Sequence, residues 1–272
     1  MSQQRKPATG VLPRLLIGLG LLLTLGFIAT PVFVIFDQAF SKGVDFYLEN
    51  VRDKDTLHAV YLTLVTTLVA VPINIVFGIA AAWAIAKFEF RGKKLLLTLL
   101  ELPFSISPIV AGVIYLLLYG SQGLFGGWLE DQGIRLMFSW PAIVLVTLFV
   151  TSPFVARELI PLMQVQGNDP EEAAATLGAS GWQIFRRVTL PAIRWALLYG
   201  AVLCTARAIG EFGAVSVVSG NIRGETNTLP LHVELLYHDY NAVGAFAAAS
   251  LLTVIAIITL LLKAVLERWQ PR

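Results

Sequence analysis

The sequence predicts an all-α membrane protein with six transmembrane helices, and three observations carry that prediction. Apolar residues make up 56% of the 272-residue chain and charged ones only 14%, against roughly 25% charge in a soluble domain. Six apolar runs of about 20 residues, the length needed to cross a bilayer, alternate with short polar intervals. The basic residues in those intervals are strongly biased. Numbering the intervals alternately from the N-terminus puts fourteen Lys and Arg on one side and five on the other, with Arg207 inside a span.

Residues 1–14 are polar, with Arg5, Lys6 and Arg14. The run 15–36 is too long for the core of a signal peptide and has no clean small-residue cleavage site after it, so it reads as a retained first span. A polar loop over 37–56 leads to the second span, 57–86, which contains Pro72 and Asn74. The basic turn 87–94 precedes a third span over 95–119, broken by Pro103 and Pro108. A glycine-rich loop, 120–139, follows. Trp140-Pro141 opens the fourth span, which ends near Arg157-Glu158. The fifth span covers 192–219, the loop 220–240 comes next, and the sixth covers 241–262. Positive residues mark the cytoplasmic side, so both termini and the interval 159–191 are expected there.

The organising stretch is 169–191. Its punctuation predicts a helix-turn-helix between two spans. Asp169 is placed to cap a helix, Pro170 fits its first position, and Glu172 at the third can reach back. Gly178 supplies a left-handed stop. Ser180 with Gln183 repeats the capping box, and Leu190-Pro191 closes the second helix. A linker that only had to reach the next span would not need two capped helices.

Within the fifth span, Arg207 and Glu211 stand four apart, on one helix face. Each costs roughly 2.5–3.5 kcal/mol at the bilayer centre, so a partner or a wet cavity is required. Two readings stand side by side, an anion pathway at Arg207 oriented by Glu211, and an ion pair stapling two helices. Glu101, about 9 Å into the third span, is expected to reach back to Lys93 or Arg91. His58, His232 and His238 have no ligand spacing with carboxylates or with Cys204, the single cysteine, which is expected to pack in the core. A net charge of +2 gives no reason to expect a nucleic-acid partner. The only Gly-Lys, Gly92-Lys93, lacks the surrounding phosphate-binding pattern, so no catalytic site and no nucleotide or metal site is expected in this chain.

The spacing in 169–191 resembles the EAA loop of ABC-importer permeases. The matching residues are Glu172-Ala173-Ala174, Gly178, and Val188-Thr189-Leu190-Pro191, with Val188 in place of the usual isoleucine. Three further stretches are similar to the sulfate branch of that family. These are Leu102-Pro103-Phe104-Ser105-Ile106-Ser107-Pro108 through Gly112, Ala206-Arg207-Ala208-Ile209-Gly210-Glu211-Phe212-Gly213-Ala214, and Ser216 through Leu231, the last being similar to CysW-type subunits. Molybdate permeases tend to carry consecutive prolines where this chain has Ser107-Pro108, which favours sulfate over the molybdate or tungstate alternative.

The resemblance implies a type I importer (MetI-like) permease fold. It would be one transmembrane domain, with 1–56 as the first span and its flanks, and 57–272 as a five-helix core. Glu172, Ala173, Ala174, Gly178, Leu190 and Pro191 would form the cytoplasmic coupling helix and its frame, and Arg207, Glu211, Ser107 and Ser216 would lie along the path. The implied partners are a CysT-type permease, two CysA-type ATPase subunits holding ATP and Mg, and a periplasmic sulfate-binding protein, all at a bacterial inner membrane in contact with lipid. Two other classes remain, a secondary transporter and an assembly subunit without a path. A secondary transporter would not need two capped helices between spans.

Overall fold

A computed structural model describes residues 10–269. Arg5, Lys6 and Arg272 of the charge count lie outside the described residues. Helix α1 (Val11–Ala39) carries no charge between Arg14 and Asp37 and touches little beyond the last helix. A short amphipathic helix, α2 (Val44–Arg52), follows the turn at Gly43. The Asp53 carboxylate then accepts from the N–H groups of Asp55 and Thr56, at 3.0 and 3.4 Å, and so starts α3 (Lys54–Lys87).

The second span, α3, is the hub of the bundle. Gly78 explains how close it comes to its neighbour, because a Cβ there would lie 2.6 Å from Val155 Cβ. Buried Asn74 donates from its amide to Thr151 Oγ1 at 2.7 Å and to the Leu148 carbonyl at 3.2 Å. In a region without water such bonds give register as well as energy.

The third segment is not one straight span. Helix α4 (Lys93–Ser105) and helix α5 (Pro108–Tyr119) meet at an angle of 110°. Pro103 is accommodated inside α4, and the elbow falls at Ile106-Ser107, where Pro108 begins the second half. After the short α6 (Gly126–Asp131) come α7 (Trp140–Thr151) and α8 (Pro153–Gln166), a fourth span broken only at Ser152. That span runs beyond its expected end, so Arg157 and Glu158 lie inside it.

Helices α9 (Asp169–Thr176) and α10 (Gly181–Ile184) form the polar stretch. A π-helical turn, Phe185–Thr189, then joins α10 without a stop to α11 (Leu190–Ile209). The fifth span is interrupted at residues 210–212 and resumes as α12 (Gly213–Val218). Helix α13 (Leu229–His238) leads to the last span, α14 (Ala242–Trp269), against which α1 packs. In residues 10–269, five helices, or six with the bent pair, are long and apolar enough to cross a membrane. Among the described residues there is no strand.

Two clusters hold the core. One joins α7, α12 and α13 around Ile143, Val146, Val215 and Leu231. The other joins α3, α8 and α11 around Val155, Leu159, Met163 and Ile193. The elbow and the interrupted span face each other between them. Gly112 of α5 faces α12, where a Cβ would come within 2.7 Å of the Ala214 carbonyl.

Candidate functional site

The stretch 169–191 begins one residue earlier than its punctuation suggests. Asn168 occupies the cap position without a side-chain hydrogen bond, and Asp169 is already helical. Glu172 therefore falls one position too late to reach back, and its side chain is exposed. Glu171 takes the third position instead. Its carboxylate turns inward to Lys87 Nζ at 2.9 Å and accepts from Thr189 Oγ1 at 3.2 Å. The ammonium of Lys87 also donates to the Gly167 carbonyl. The three acidic groups in the first turn still match the positive end of the helix.

Gly178 has φ +83°, and the N–H groups of Gly178 and Ala179 donate to the carbonyls of Ala175 and Ala174 at 2.9 and 3.1 Å. This is the Schellman arrangement, which a glycine enters without steric cost. The second cap matches the sequence in full. Ser180 Oγ accepts from the Gln183 N–H at 3.4 Å, and Gln183 Oε1 accepts from the Ser180 N–H at 2.8 Å. Leu190-Pro191 does not end a helix, contrary to the sequence reading. Pro191 lacks an N–H and crowds the turn before it, and the π turn widens the helix enough to carry the chain through. Phe185 in that turn stacks between Trp182 and Trp83 of α3, with centroids 5.6 and 5.2 Å away. Outward, Leu177 and Trp182 are 88% and 68% exposed, beside exposed Glu172 and Ala173. Ala174 is half-buried.

Arg207 and Glu211 do meet, with Nη1 to Oε2 at 2.6 Å, but not on one helix face. Helix α11 ends at Ile209, and Glu211 sits in the break, its side chain 1% exposed. Its other oxygen accepts from the Ala214 N–H at 2.8 Å, so one carboxylate starts α12 and holds the guanidinium. Ser107 is exposed at the start of α5, and Pro108 beside it abuts Gly213, where a Cβ would lie 3.0 Å from Pro108 Cβ. Ser216 is half-buried, and its hydroxyl donates to its own helix at Gly213, 2.9 Å away. The bond expected from Glu101 to Lys93 is not made. Lys93 pairs with Glu89 at 2.5 Å, and Glu101 shares a cavity with Arg157.

A family model described as "Binding-protein-dependent transport system inner membrane component" matches residues 74–270. The chain belongs to that family. It is a permease subunit of an ABC transporter and a multi-pass membrane protein. It is 62% identical over 252 residues to the sulfate transport system permease protein CysW of Escherichia coli K12, covering 93% of this chain and 87% of that one. Its identity to the CysT permease of the same strain is 38% over 220 residues, with 79% of each chain covered. In fold it is similar to a bacterial ABC transporter that imports alginate, at a TM-score of 0.79 and 17% identity, covering 96% of both chains.

Within this permease the sequence motifs found the 169–191 stretch but not what anchors it. Nothing local marks Lys87 or Thr189 as partners of Glu171, and the neighbouring Glu172 carried the motif. The position of Lys87 at the end of a span was the one available signal, because a charge there must find either water or a counter-charge.

Proposed function

We propose that this permease carries sulfate inward across the bacterial inner membrane, driven by ATP hydrolysis on separate subunits. Its 62% identity to a sulfate permease over nearly the whole chain supports that substrate. The partners are a CysT-type permease, two CysA-type ATPase subunits that bind ATP and Mg, and a periplasmic sulfate-binding protein. Energy input is needed, because a dianion entering a negative interior works against about 4.6 kcal/mol per 100 mV.

The observation that carries the mechanism is the exposed, doubly capped pair α9–α10, joined rigidly to the spans. In our reading it lies in the cytoplasm with both termini, and Leu177, Trp182 and Ala173 press into the ATPase subunit. Motion of that subunit passes through two links. One is Glu171 to Lys87 at the foot of α3. The other is the unbroken path from α10 through the π turn into α11, whose last turn holds Arg207. There the interrupted fifth span and the elbow of the third meet. Arg207, held by Glu211, supplies positive charge to the path, and Ser107 and the start of α5 stand beside it.

The test is uptake of labelled sulfate by the four-component complex in proteoliposomes, with ATP inside and binding protein outside. Uptake should require both, and molybdate should compete weakly. Uptake without the ATPase subunits would overturn the assignment. Cysteine labelling should report Asn168 as cytoplasmic and Asp131 and Glu225 as periplasmic. The reverse pattern would remove the coupling role from 169–191.

A further inference from the structure

The fourth candidate span runs through to Gln166, so Arg157 stands within it rather than at its end. It lies nine residues before that end, or about 14 Å along the axis. Glu101 lies eight residues past Lys93 on α4, or about 12 Å, and so at a similar depth. Both line one cavity of about 240 Å³ between α4 and α8, together with Phe104 and Pro161. Both side chains are exposed, and Phe104 is 44% exposed. The Arg157 guanidinium sits 5.0 Å from the centre of the Phe104 ring and makes no ion pair with Glu101.

Hydrocarbon cannot cover this face. Either charge facing lipid at depth would cost roughly 2.5–3.5 kcal/mol. Val155, two residues before Arg157, is fully buried between the close approaches at Gly78 and Gly200. Arg157 is therefore turned away from α3 and α11, toward α4 and the space beyond it. The Arg207 region lies across the elbow. Phe104 closes α4 on one side of the elbow, and Pro108 on the other side abuts Gly213, next to Glu211. The two arginines thus flank a single elbow.

Their chemistry differs. Glu211 occupies Arg207 at 2.6 Å, whereas among the described residues no carboxylate pairs with Arg157. A guanidinium offers a fixed fork of N–H donors that matches an oxyanion, and stacking on an aromatic ring orients the fork without using it up. Passage also requires several sites of moderate strength rather than one tight one. From this geometry we infer that Arg157, seated on Phe104, is a second cationic station for the translocated oxyanion, on the cytoplasmic side of the elbow. Glu101 is the counter-charge that keeps the empty station stable. The inference rests on the sulfate reading above.

The experiment uses the assembled complex in proteoliposomes. Arg157→Cys and Glu101→Cys are made in a Cys204→Ala background and exposed, without ATP, to a membrane-impermeant anionic thiol reagent. With the reagent held inside the vesicles, on the cytoplasmic face, both positions should react, and sulfate there should slow the reaction at residue 101, where Arg157 is intact. In parallel, Arg157→Gln should lower sulfate uptake about tenfold at equal complex level, with Arg157→Lys intermediate, as loss of a charge-assisted contact requires. No reaction at either cysteine would place this face against protein or lipid and overturn the inference. So would reaction without protection by sulfate, or wild-type uptake by Arg157→Gln. Uptake by the unmodified complex is the separate check on the substrate. If that complex carries no sulfate, the substrate reading fails and the labelling arm still decides whether the site is wet.

Discussion

Lys87 and Glu171 form an ion pair of 2.9 Å between the foot of the second span and the first turn of α9, with side chains 5% and 19% exposed. Thr189 and the Gly167 carbonyl close the network, so three separate parts of the chain converge on one ammonium and one carboxylate. Removing either member alone leaves a largely desolvated charge, while removing both does not. Lys87→Met and Glu171→Gln should each loosen 168–180, raising its amide exchange and weakening ATPase association. The double variant should lose less than the sum, with a coupling of about 0.5–3 kcal/mol. Strict additivity in a double-mutant cycle on complex stability would show that the pair is not a working contact.

Gly178 tests the turn between α9 and α10. Nothing lies within 4 Å of a Cβ built there, so the penalty for Gly178→Val is backbone strain at φ +83° alone, of order 1–3 kcal/mol. Insertion of the spans should be unaffected. Loss should appear as weaker ATPase copurification or as hydrolysis uncoupled from sulfate uptake, with Gly178→Ala milder. Full uptake with the ATPase bound would remove the coupling role from this turn.

Glu211 has two tasks, and substitutions can separate them. Glu211→Gln keeps an acceptor for the Ala214 N–H but releases Arg207, whereas Glu211→Ala loses both contacts. Arg207→Ala should be worst for the amount of folded permease, since it strands a carboxylate whose side chain is 1% exposed. Arg207→Ala combined with Glu211→Gln should restore the membrane level measured by immunoblot. If that pair also restores uptake, Arg207 is a structural staple and not part of the path.

His232 gives a pH dependence. It is buried where α13 meets the start of α3, with Nε2 3.0 Å from Thr56 Oγ1 and Nδ1 3.3 Å from Asn227 Nδ2. Since the amide nitrogen can only donate, Nδ1 accepts and the ring is neutral. Burial lowers its pKa below the ordinary 6.5, with Asp55 and Asp53 opposing and Arg223 reinforcing the shift. A depressed pKa means that the unfolded chain takes up the proton more readily. The stability contribution is therefore complete above 6.5 and is lost as pH falls through the lower folded-state value. Thermal unfolding of the purified complex should show a drop in Tm in that acid range, which His232→Gln flattens. An unchanged pH profile in the variant would assign the acid sensitivity elsewhere.

The sequence by itself determined where the apolar runs lie, the two caps at Gly178 and Ser180, and the family, because each is written in local residue order. A run of apolar side chains must cross the bilayer, a glycine past a helix permits φ > 0, and Ser180 needs only Gln183 to close its box. Tertiary structure decided the rest. The start of α9 shifted by one residue to Asn168, and Lys87, far away in sequence, took the Glu171 carboxylate that a capping box would have used. Pro191 failed to end a helix because a π turn, stacked through Phe185 on Trp83, carried the chain past it. Arg207 and Glu211 kept their pairing but lost their common helix, since the break at 210–212 lets the carboxylate start α12. Arg157 stands within the fourth helical segment rather than at its end because α8, packed on α3 and α11 down to Met163, continues to Gln166. Local rules state which contacts a residue can make, and only the fold sets which partners are within reach.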